Sequence, residues 1–336
     1  MIFVTGGTGL IGAHVLLKLA QDSFSIRALK REYSDMSVVK SIFNHYNASS
    51  LFKTIDWVDG DILDVFSLQD HLLDCDKVIH CAAIVSFARG DAEVMLKNNV
   101  QGTANVVNTC LSLGVSKLGY VSSIATLGSK DENTVKTEES YWQENNSNTQ
   151  YAVSKYLAEQ EVWRGIQEGL SAVIVNPSVV LGPGQWSKGS SQLFEKVWDG
   201  LKYYTSGSTG YVDVLDVSTI IVQLLGSDIT NQRFIINSEN LAYKTVFDWM
   251  SEDLNRPKAH IKVTPFIKEL AWRLEWIKSI FSGKQPLITK ETAQKSMINS
   301  YYSNQKIIDA LSYDFIPVRE SVRNYSHWFL SEKTNS

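Results

Sequence analysis

A glycine pattern near the N-terminus constrains this 336-residue chain more than any other feature. It follows the apolar run Ile2–Thr5 and opens the helix-like segment Leu10–Gln21. In such turns one glycine permits the tight bend, another lets the backbone approach a pyrophosphate, and a third lets helix pack on strand. The alternative is a glycine-rich turn without a ligand. We predict a dinucleotide site here, with contacts from Gly6, Thr8, Gly9, Leu10, Ile11 and Gly12.

Short apolar runs alternate with helix-length segments through the first half of the chain. The helix-length segments are Leu10–Gln21, Ala92–Leu113 and Gln150–Glu168. The apolar runs are nearly continuous, which is typical of strands buried on both faces of a parallel sheet. They are Ile2–Thr5, Ser25–Leu29, Ile55–Val58, Lys77–Cys81, Lys117–Ser122 and Ala172–Asn176. This order predicts an α/β fold with a Rossmann-type doubly wound parallel sheet.

The pattern loosens after Pro177, where turn-rich stretches separate short elements. We therefore predict two parts. A dinucleotide-binding Rossmann domain covers residues 1–176, and segments near 211–238 are expected to return to it. A smaller C-terminal substrate lobe covers residues 177–210 and 239–336.

Composition narrows the class of protein. Hydrophobic residues make up 44% and charged residues 20% of the chain, as in ordinary globular proteins. The net charge of −4 argues against nucleic acid as a partner. We find no signal peptide, no apolar run long enough for a transmembrane segment, and no metal-ligand spacing among the six histidines. The three cysteines lack CxxC spacing, so we expect reduced thiols in a cytoplasmic protein without a metal.

The residues after the second strand bear on the choice of cofactor. NAD-selective sites usually place an acid there, about 20 residues past the glycine turn, to bind the ribose 2′-hydroxyl. This chain has Lys30 and Arg31, and a guanidinium can pair with a 2′-phosphate through two hydrogen bonds. We expect NADP(H) to be favoured over NAD(H), unless Lys30 and Arg31 are merely solvated surface charges.

Further cofactor contacts are expected where the third and fourth strands end, the edge at which α/β proteins bind ligands. Asp61 can accept hydrogen bonds from an adenine amino group while Ile62 packs on the ring. The alternative is that Asp61 caps the helix that begins near Val65. His80 is best read as a core histidine. Small residues then leave room for a cofactor, namely Cys81, Ala82 and Ala83.

Tyr151 and Lys155 stand four residues apart in a helical segment, so they share one face. A free tyrosine has a pKa of about 10, and a nearby cation lowers it toward the range in which a general acid works at neutral pH. Ser122 and Ser123 end the fifth strand, so a serine hydroxyl can meet Tyr151 above the sheet. The spacing alone is common in surface pairs, but its place between the fifth and sixth strands favours catalysis.

Together these motifs resemble the extended short-chain dehydrogenases/reductases, the NAD-dependent epimerase/dehydratase superfamily. Within it the chain is most similar to the dihydroflavonol-reductase and 3β-hydroxysteroid-dehydrogenase branch. The resemblance covers most of the chain, to about Leu330. It rests on TGGTGLIG at 5–12, GDI at 60–62, NVQGT at 99–103, YVSS at 120–123, YAVSK at 151–155, NPS at 176–178 and YVDVLDV at 211–217.

The resemblance implies a catalytic role for three residues. Ser123, rather than Ser122, matches the serine that hydrogen-bonds the substrate carbonyl. Tyr151 matches the acid/base, and Lys155 matches the lysine that binds the ribose. In reduction the nicotinamide supplies the hydride and Tyr151 the proton.

The resemblance also implies further residues around the cofactor. Pro177 and Ser178 match the segment that lines the nicotinamide. Asn99 matches an asparagine whose role in this branch is mainly structural, and we place it with Ser122 in the expected cofactor-binding set.

One departure from the family pattern bears on the substrate. Sugar-nucleotide members commonly carry an Arg-Asp-Phe run before the Val-x-Asp-Val segment, whereas this chain has Ser208–Asp213 there. A cation for a sugar diphosphate is therefore missing at that point. We expect an NAD(P)H-dependent carbonyl reductase, or alcohol dehydrogenase in reverse, acting on a hydrophobic ketone or aldehyde. The alternatives are an NAD-dependent nucleotide-sugar epimerase or dehydratase and, in another class, a non-catalytic dinucleotide-sensing protein.

The segment Pro265–Phe281 reads as a helix that is apolar on two faces, with Trp272 and Trp276 opposite the main stripe. Such a helix has two neighbours, or one neighbour and a hydrophobic ligand. Ordinary packing in the smaller lobe, a homodimer contact, a wall of the substrate pocket and interfacial membrane association remain open.

Overall fold

The computed structural model describes residues 1–87, 89–128, 134–144, 148–264 and 296–334. The predicted helix Pro265–Phe281, with Trp272 and Trp276, lies outside these residues.

Strands form where the apolar runs predicted them, with bounds shifted by one residue at most. In chain order, the described strands are β1 (Ile2–Thr5), β2 (Ile26–Lys30), β3 (Asp56–Asp59), β4 (Lys77–His80), β5 (Lys117–Val121), β6 (Val135–Lys136), β7 (Ala172–Pro177), β8 (Val179–Leu181), β9 (Tyr203–Tyr204), β10 (Ser208–Asp213), β11 (Gln232–Ile236), β12 (Glu239–Ala242), β13 (Ile261–Lys262) and β14 (Tyr301–Tyr302). The six predicted strands correspond to β1–β5 and β7.

Seven of the described strands form one sheet in the order β11-β7-β5-β4-β1-β2-β3. Every pairing within it is parallel. The strand order reverses between β1 and β4, and α/β proteins bind ligands at the carboxyl edge of such a switch point. The predicted doubly wound α/β sheet is confirmed.

Helices cover both faces of this sheet. They are α1 (Leu10–Gln21), α2 (Ser37–His45), α3 (Ser49–Phe52), α4 (Val65–Leu72), α5 (Ala92–Met95), α6 (Gly102–Leu113), α7 (Gln150–Gln167), α8 (Gln192–Trp198), α9 (Val214–Gly226), α10 (Tyr243–Asp253), α11 (Gln305–Leu311) and α12 (Val318–Thr334). Alternate residues of β1 enter different cores. Ile2 and Val4 join the core formed with α1 and α9, whereas Phe3 joins the core formed with α4, α6 and α7.

The helix predicted over Ala92–Leu113 is interrupted. Between α5 and α6, Leu96–Gln101 form a π-helical segment. Its Asn99 accepts a hydrogen bond from Ile84 N at 2.7 Å and donates to Ile84 O at 2.9 Å and to Ser154 Oγ at 3.0 Å. This wider turn thereby fixes the loop that follows β4 against α7, and π-helical turns are frequent at functional sites.

The second half of the chain adds smaller sheets. The strand β10 lies between β8 and β12, β9 pairs with β13, and β6 pairs with β14. The helix α12 packs against α10, while α9 packs against α1 and β11 joins the central sheet. The division into a nucleotide domain and a substrate lobe stays a prediction.

Among the residues described, no helix is long and apolar enough to cross a membrane. Within the same ranges, no three His, Cys, Asp or Glu side chains come together in a way that could hold a metal ion. The cytoplasmic location and a homodimer stay predictions.

Candidate active site

The glycine turn lies at the carboxyl end of β1, where backbone segments approach one another closely. Gly6 has a φ of +72°, and a Cβ there would lie 2.5 Å from Ala82 N. A Cβ at Gly12 would lie 2.1 Å from Gly6 O. Both distances are too short for a real Cβ contact, so the packing of the turn requires glycine at these two positions.

Gly9 differs, because the packing of the turn does not require it. A Cβ there would meet Gly6 O at 3.4 Å and no other described atom within 4 Å. Gly9 is the N-cap of α1, and no side chain caps this helix. Thr8, Leu10 and Ile11 beside it are partly exposed. An accessible, uncapped helix N-terminus offers unpaired N–H groups and a partial positive charge to phosphates, so the turn fits a dinucleotide.

The two cations after β2 have different surroundings. Lys30 forms an ion pair with Asp59 at the end of β3. The Arg31 side chain is exposed and forms no ion pair with any residue in the described ranges, although its backbone N–H donates to Ser34 Oγ at 3.1 Å. Arg31 is therefore the cation that is available to a phosphate.

At the end of β3, Asp61 is half-buried and accepts a hydrogen bond from Leu63 N at 2.9 Å. It does not cap α4, because Asp64 holds that position and accepts from the first turn of the helix. Ile62 is buried in the core that includes α6. A carboxylate has more lone pairs than this one bond uses, so Asp61 can also accept a hydrogen bond from a ligand.

The three residues that follow β4 have small side chains and are partly or fully exposed at the carboxyl edge of the sheet. Cys81 and Ala82 are half-buried, and Ala83 is exposed. Burial raises the pKa of the Cys81 thiol to about 12, so the thiol stays protonated at neutral pH. This stretch presents small, uncharged side chains beside the glycine turn, which leaves room for a cofactor.

Asn99 and Ser122, both expected at the cofactor, have side chains bonded to the protein. Asn99 makes the contacts to Ile84 and Ser154 described above. Ser122 is buried, and its hydroxyl donates to Glu159 Oε2 at 2.6 Å. Both side chains support the site from beneath, and a direct cofactor contact stays a prediction.

Ser123 and Tyr151 meet above the sheet. Ser123 follows β5 and Tyr151 lies in the first turn of α7, and their side chains are close enough for the Ser123 hydroxyl to affect the pKa of the phenol. Thr149 caps α7 by accepting from Ala152 N at 3.0 Å, which fixes the turn that carries Tyr151. Burial raises the pKa of Tyr151, and the nearby Ser123 hydroxyl offsets part of that rise.

Lys155 is buried one turn farther along α7, and its ammonium is directed at β5. Nζ donates to Tyr120 Oη at 2.8 Å and to Val121 O at 2.9 Å. Burial lowers the pKa of Lys155 to about 8. The expected lowering of the Tyr151 pKa by this charge is not found, because burial of the phenol dominates and the ammonium is bonded to Tyr120 and Val121 instead.

Pro177 and Ser178 are buried at the end of β7. Ser178 N donates to Ile236 O at 3.0 Å, but Ser178 Oγ has no hydrogen-bond partner in the part of the chain that the structure describes. An unpaired buried hydroxyl is costly. This orphaned atom fits a polar ligand group, such as that of a nicotinamide, at the end of β7.

Sequence reasoning missed Tyr120. It stands between Lys155 and His80, with its ring 5.5 Å from the imidazole. His80 is fully buried, lies 2.9 Å from Thr103 Oγ1, and has its pKa lowered to about 3 by burial, as an uncharged core histidine would. No pattern along the chain signals the Tyr120 contact, since it depends on how β5 and α7 approach one another.

Sequence reasoning also missed Glu159, which is fully buried on α7. A signal was present: Glu159 follows Lys155 by four residues, just as Lys155 follows Tyr151. Three side chains at this spacing lie along one helix face.

Apolar side chains are exposed next to Tyr151. The Phe87 ring lies 5.8 Å from the Tyr151 ring in an edge-on contact. Phe87 is 42% exposed and Val85 is 52% exposed, and both belong to the loop that follows β4. Exposed apolar side chains beside a reactive hydroxyl favour an apolar substrate.

Comparisons with known proteins agree with the fold. The model of the NAD dependent epimerase/dehydratase family matches residues 2–236. A protein of Synechocystis sp. named "Putative dihydroflavonol 4-reductase" is 27% identical to this chain, over 97% of this chain and 94% of its own length.

Two solved structures cover the whole chain. Yeast methylglyoxal/isovaleraldehyde reductase complexed with NADPH superposes with a TM-score of 0.75 at 18% identity, over 100% of this chain and 99% of its own. UDP-glucose 4-epimerase of Thermotoga maritima gives a TM-score of 0.78 at 18% identity, with the same coverage. Both are similar in fold, which by itself does not separate a reductase from an epimerase.

Proposed function

Because this chain belongs to the NAD dependent epimerase/dehydratase family, and is an NAD(P)-dependent enzyme of the oxidoreductase type, we propose that it is an NADPH-dependent carbonyl reductase for apolar ketones or aldehydes. In reverse, the same enzyme is an alcohol dehydrogenase. The observation that carries the proposal is the placement of the Ser123 and Tyr151 side chains beside each other, with Lys155 buried one turn farther along α7.

Each member of this set has a part in reduction. The bound nicotinamide supplies a hydride to the carbonyl carbon. Ser123 donates a hydrogen bond to the carbonyl oxygen and stabilises the charge that develops there. Tyr151 gives its proton to the same oxygen, so the substrate leaves as the alcohol, and the tyrosinate regains a proton from solvent. The raised pKa of Tyr151 keeps it protonated at neutral pH, as a proton donor must be.

Lys155 supports both the cofactor and Tyr151. Its ammonium uses two hydrogens for Tyr120 and Val121, and the third is available to the ribose hydroxyls. Its contacts with Tyr120 and Val121 also hold α7, the helix that carries Tyr151, against β5.

The cofactor preference rests on Arg31. Since Lys30 is already paired with Asp59, the exposed guanidinium of Arg31 is the group that pairs with the 2′-phosphate of NADPH. The uncapped N-terminus of α1 and the small residues after β4 accommodate the rest of the dinucleotide.

The substrate class rests on two observations. The exposed ring of Phe87 gives the site an apolar side chain beside Tyr151, and Val85 in the same loop is exposed as well. The strand β10 carries Ser208–Asp213 where sugar-nucleotide enzymes commonly have an arginine, and this strand is buried and lacks a basic side chain. Both favour an apolar carbonyl compound over a sugar diphosphate.

The test is a panel of aromatic and aliphatic ketones and aldehydes, scored by loss of NADPH absorbance, beside UDP-glucose and dTDP-glucose with NAD. We expect NADPH-dependent reduction of apolar carbonyls that the Tyr151→Phe variant does not support. Conversion of a sugar nucleotide without net cofactor turnover, combined with inert carbonyls, would instead establish the epimerase or dehydratase.

A further inference from the structure

We propose that Glu159 is a positioning residue that holds Ser123 in place and keeps the ammonium of Lys155 charged. The proposal rests on the functions proposed above for Ser123 and Lys155. Glu159 acts through these neighbours, since its carboxylate is wholly enclosed by protein.

The first observation is the number of donors around this carboxylate. Five described side chains have a donor atom within hydrogen-bond distance of its two oxygens, and they come from β7, β11, α7 and the segment after β5. They are Ser122 Oγ (2.6 Å), Asn176 Nδ2 (2.8 Å), Thr126 Oγ1 (3.0 Å), Arg233 Nη1 (3.0 Å) and Trp163 Nε1 (3.3 Å). A buried charge is costly even when paired, and an apolar side chain would fill the space at lower cost. A negative charge here therefore calls for a functional explanation.

The second observation is the link to Ser123. Two of these groups also lie within hydrogen-bond distance of the backbone carbonyl of Ser123. Asn176 Nδ2, which has two hydrogens, lies 3.1 Å from it, and Thr126 Oγ1 lies 2.9 Å from it and donates its single hydrogen either to this carbonyl or to Glu159. The neighbouring Ser122 is bound directly to Glu159. The carboxylate thus orients the groups that fix both serines at the end of β5, and so sets where the Ser123 hydroxyl meets Tyr151.

The third observation is the link to Lys155. Glu159 lies one helical turn beyond Lys155 without forming a direct ion pair, so it acts through space. Burial lowers the pKa of Lys155, and the Glu159 carboxylate counteracts that shift.

The other titratable groups facing Lys155 do not supply a negative charge. They are His80 on β4, Cys81 after β4, Tyr120 on β5 and Tyr151 on α7, with the guanidinium of Arg233 from β11 on the far side of Glu159. Burial holds the pKa of His80 low and those of the thiol and both phenols high, so all four are neutral near pH 7. Among the described residues, the Glu159 carboxylate is the negative charge that keeps Lys155 protonated.

The experiment follows dinucleotide affinity against pH in the full-length protein. NADH and NADPH are titrated from pH 6 to 10 by quenching of tryptophan fluorescence, which requires no substrate. NADH, which lacks the 2′-phosphate, separates the titration of lysine from that of the phosphate. For the wild type we expect affinity to fall as pH rises through about 8, because Lys155 then loses its charge. In Glu159→Gln we expect this inflection to move about one pH unit lower.

Two variants separate charge from structure. Glu159→Asp keeps the charge, so its inflection should stay near that of the wild type. Thr126→Val removes one donor and keeps every charge, so its Tm should fall while the inflection stays in place. If Glu159→Gln lowers Tm and leaves the inflection unmoved, Glu159 is structural and the proposal is overturned.

Should Glu159→Gln fail to fold, Arg233→Gln tests the same point with the opposite sign. Removing the guanidinium leaves the carboxylate to act on Lys155 alone, so the inflection should move to higher pH, and an unmoved inflection contradicts the proposal. Lys155→Ala should abolish the inflection. If the inflection persists in Lys155→Ala, the proposed role of Lys155 fails and that of Glu159 with it. If the inflection is lost in Lys155→Ala but does not move in Glu159→Gln or Arg233→Gln, the role of Glu159 alone fails.

Discussion

The glycine turn and the catalytic corner, formed by Ser123, Tyr151 and Lys155, are built in opposite ways. The turn uses consecutive residues, and its geometry is set by backbone contacts that leave no room for a Cβ at Gly6 or Gly12. The corner draws on β5 and α7, and polar atoms from β7 and β11 hold it in place. Adding an atom to the turn should therefore lower the stability of the fold. Removing an atom or a charge from the corner should lower turnover or cofactor binding.

The largest expected effect is an added methyl group in the turn. Gly12→Ala should lower the free energy of unfolding by about 3 kcal/mol or more, because its Cβ would press on the backbone of Gly6. Gly9→Ala should cost about 1 kcal/mol or less, because a Cβ there meets only Gly6 O at 3.4 Å, and yet weaken NADPH binding about tenfold if phosphate binds at this helix N-terminus as proposed. Urea denaturation and cofactor titration separate the two. Equal losses of stability would show that the turn is shaped by packing at all its glycines.

The next largest effect is expected when a substitution removes one oxygen atom from the catalytic corner. Tyr151→Phe should lower turnover about a hundredfold or more, the usual scale for a general acid, while the NADPH dissociation constant and Tm change little. Lys155→Ala should damage both binding and rate, because the lysine is proposed to bind the ribose and holds α7, which carries Tyr151, against β5. Steady-state kinetics with an accepted carbonyl provide the measurement. Wild-type turnover in Tyr151→Phe would remove this tyrosine from the mechanism.

The third prediction concerns the preference for NADPH over NADH. Arg31→Ala should weaken NADPH binding by about 1.5–3 kcal/mol, the scale of hydrogen bonds to a charged group, and leave NADH nearly unchanged. Lys30→Ala is the matched control and should alter the ratio of the two affinities less, since Lys30 is paired with Asp59. Equal losses of NADPH and NADH binding in Arg31→Ala, or a wild-type preference for NADH, would exclude Arg31 as the reader of the phosphate.

The smallest expected effect tests the hydrogen bond between Lys155 and Tyr120 in the catalytic corner. Tyr120→Phe keeps the ring over which the Lys155 ammonium lies, 4.5 Å from the ring centre, and removes the hydroxyl that accepts its hydrogen bond. We expect NADPH binding to weaken by about 1 kcal/mol, typical of one hydrogen bond. The control is Tyr156→Phe, whose ring stacks on Trp142 at 4.5 Å outside the corner. Identical effects of the two variants would argue against Tyr120 as a partner of Lys155.

The same contrast explains what the sequence could predict. The six predicted strands, β1–β5 and β7, agree with the structure to within one residue because strands of a buried parallel sheet are nearly continuous apolar runs, a local property. The glycine turn and the spacing of Tyr151 and Lys155 are also local. The direction of the Lys155 ammonium and the donors around Glu159 are not, because they depend on β7 and β11 arriving beside α7 from far along the chain. The π-helical turn at Asn99 likewise follows from a contact with Ile84 and Ser154, which no helical periodicity records.

The pairing of Glu159 with Arg233 also has a consequence for biosynthesis. A ribosome makes the segment carrying Glu159 some seventy residues before Arg233 reaches the sheet on β11. A nascent or truncated chain that ends after α9 would bury this carboxylate without its partner, and breaking a buried pair costs about 3–5 kcal/mol. The nascent chain thus remains poorly stable until β11 emerges, so the addition of this strand to the sheet and the assembly of the catalytic corner become one event.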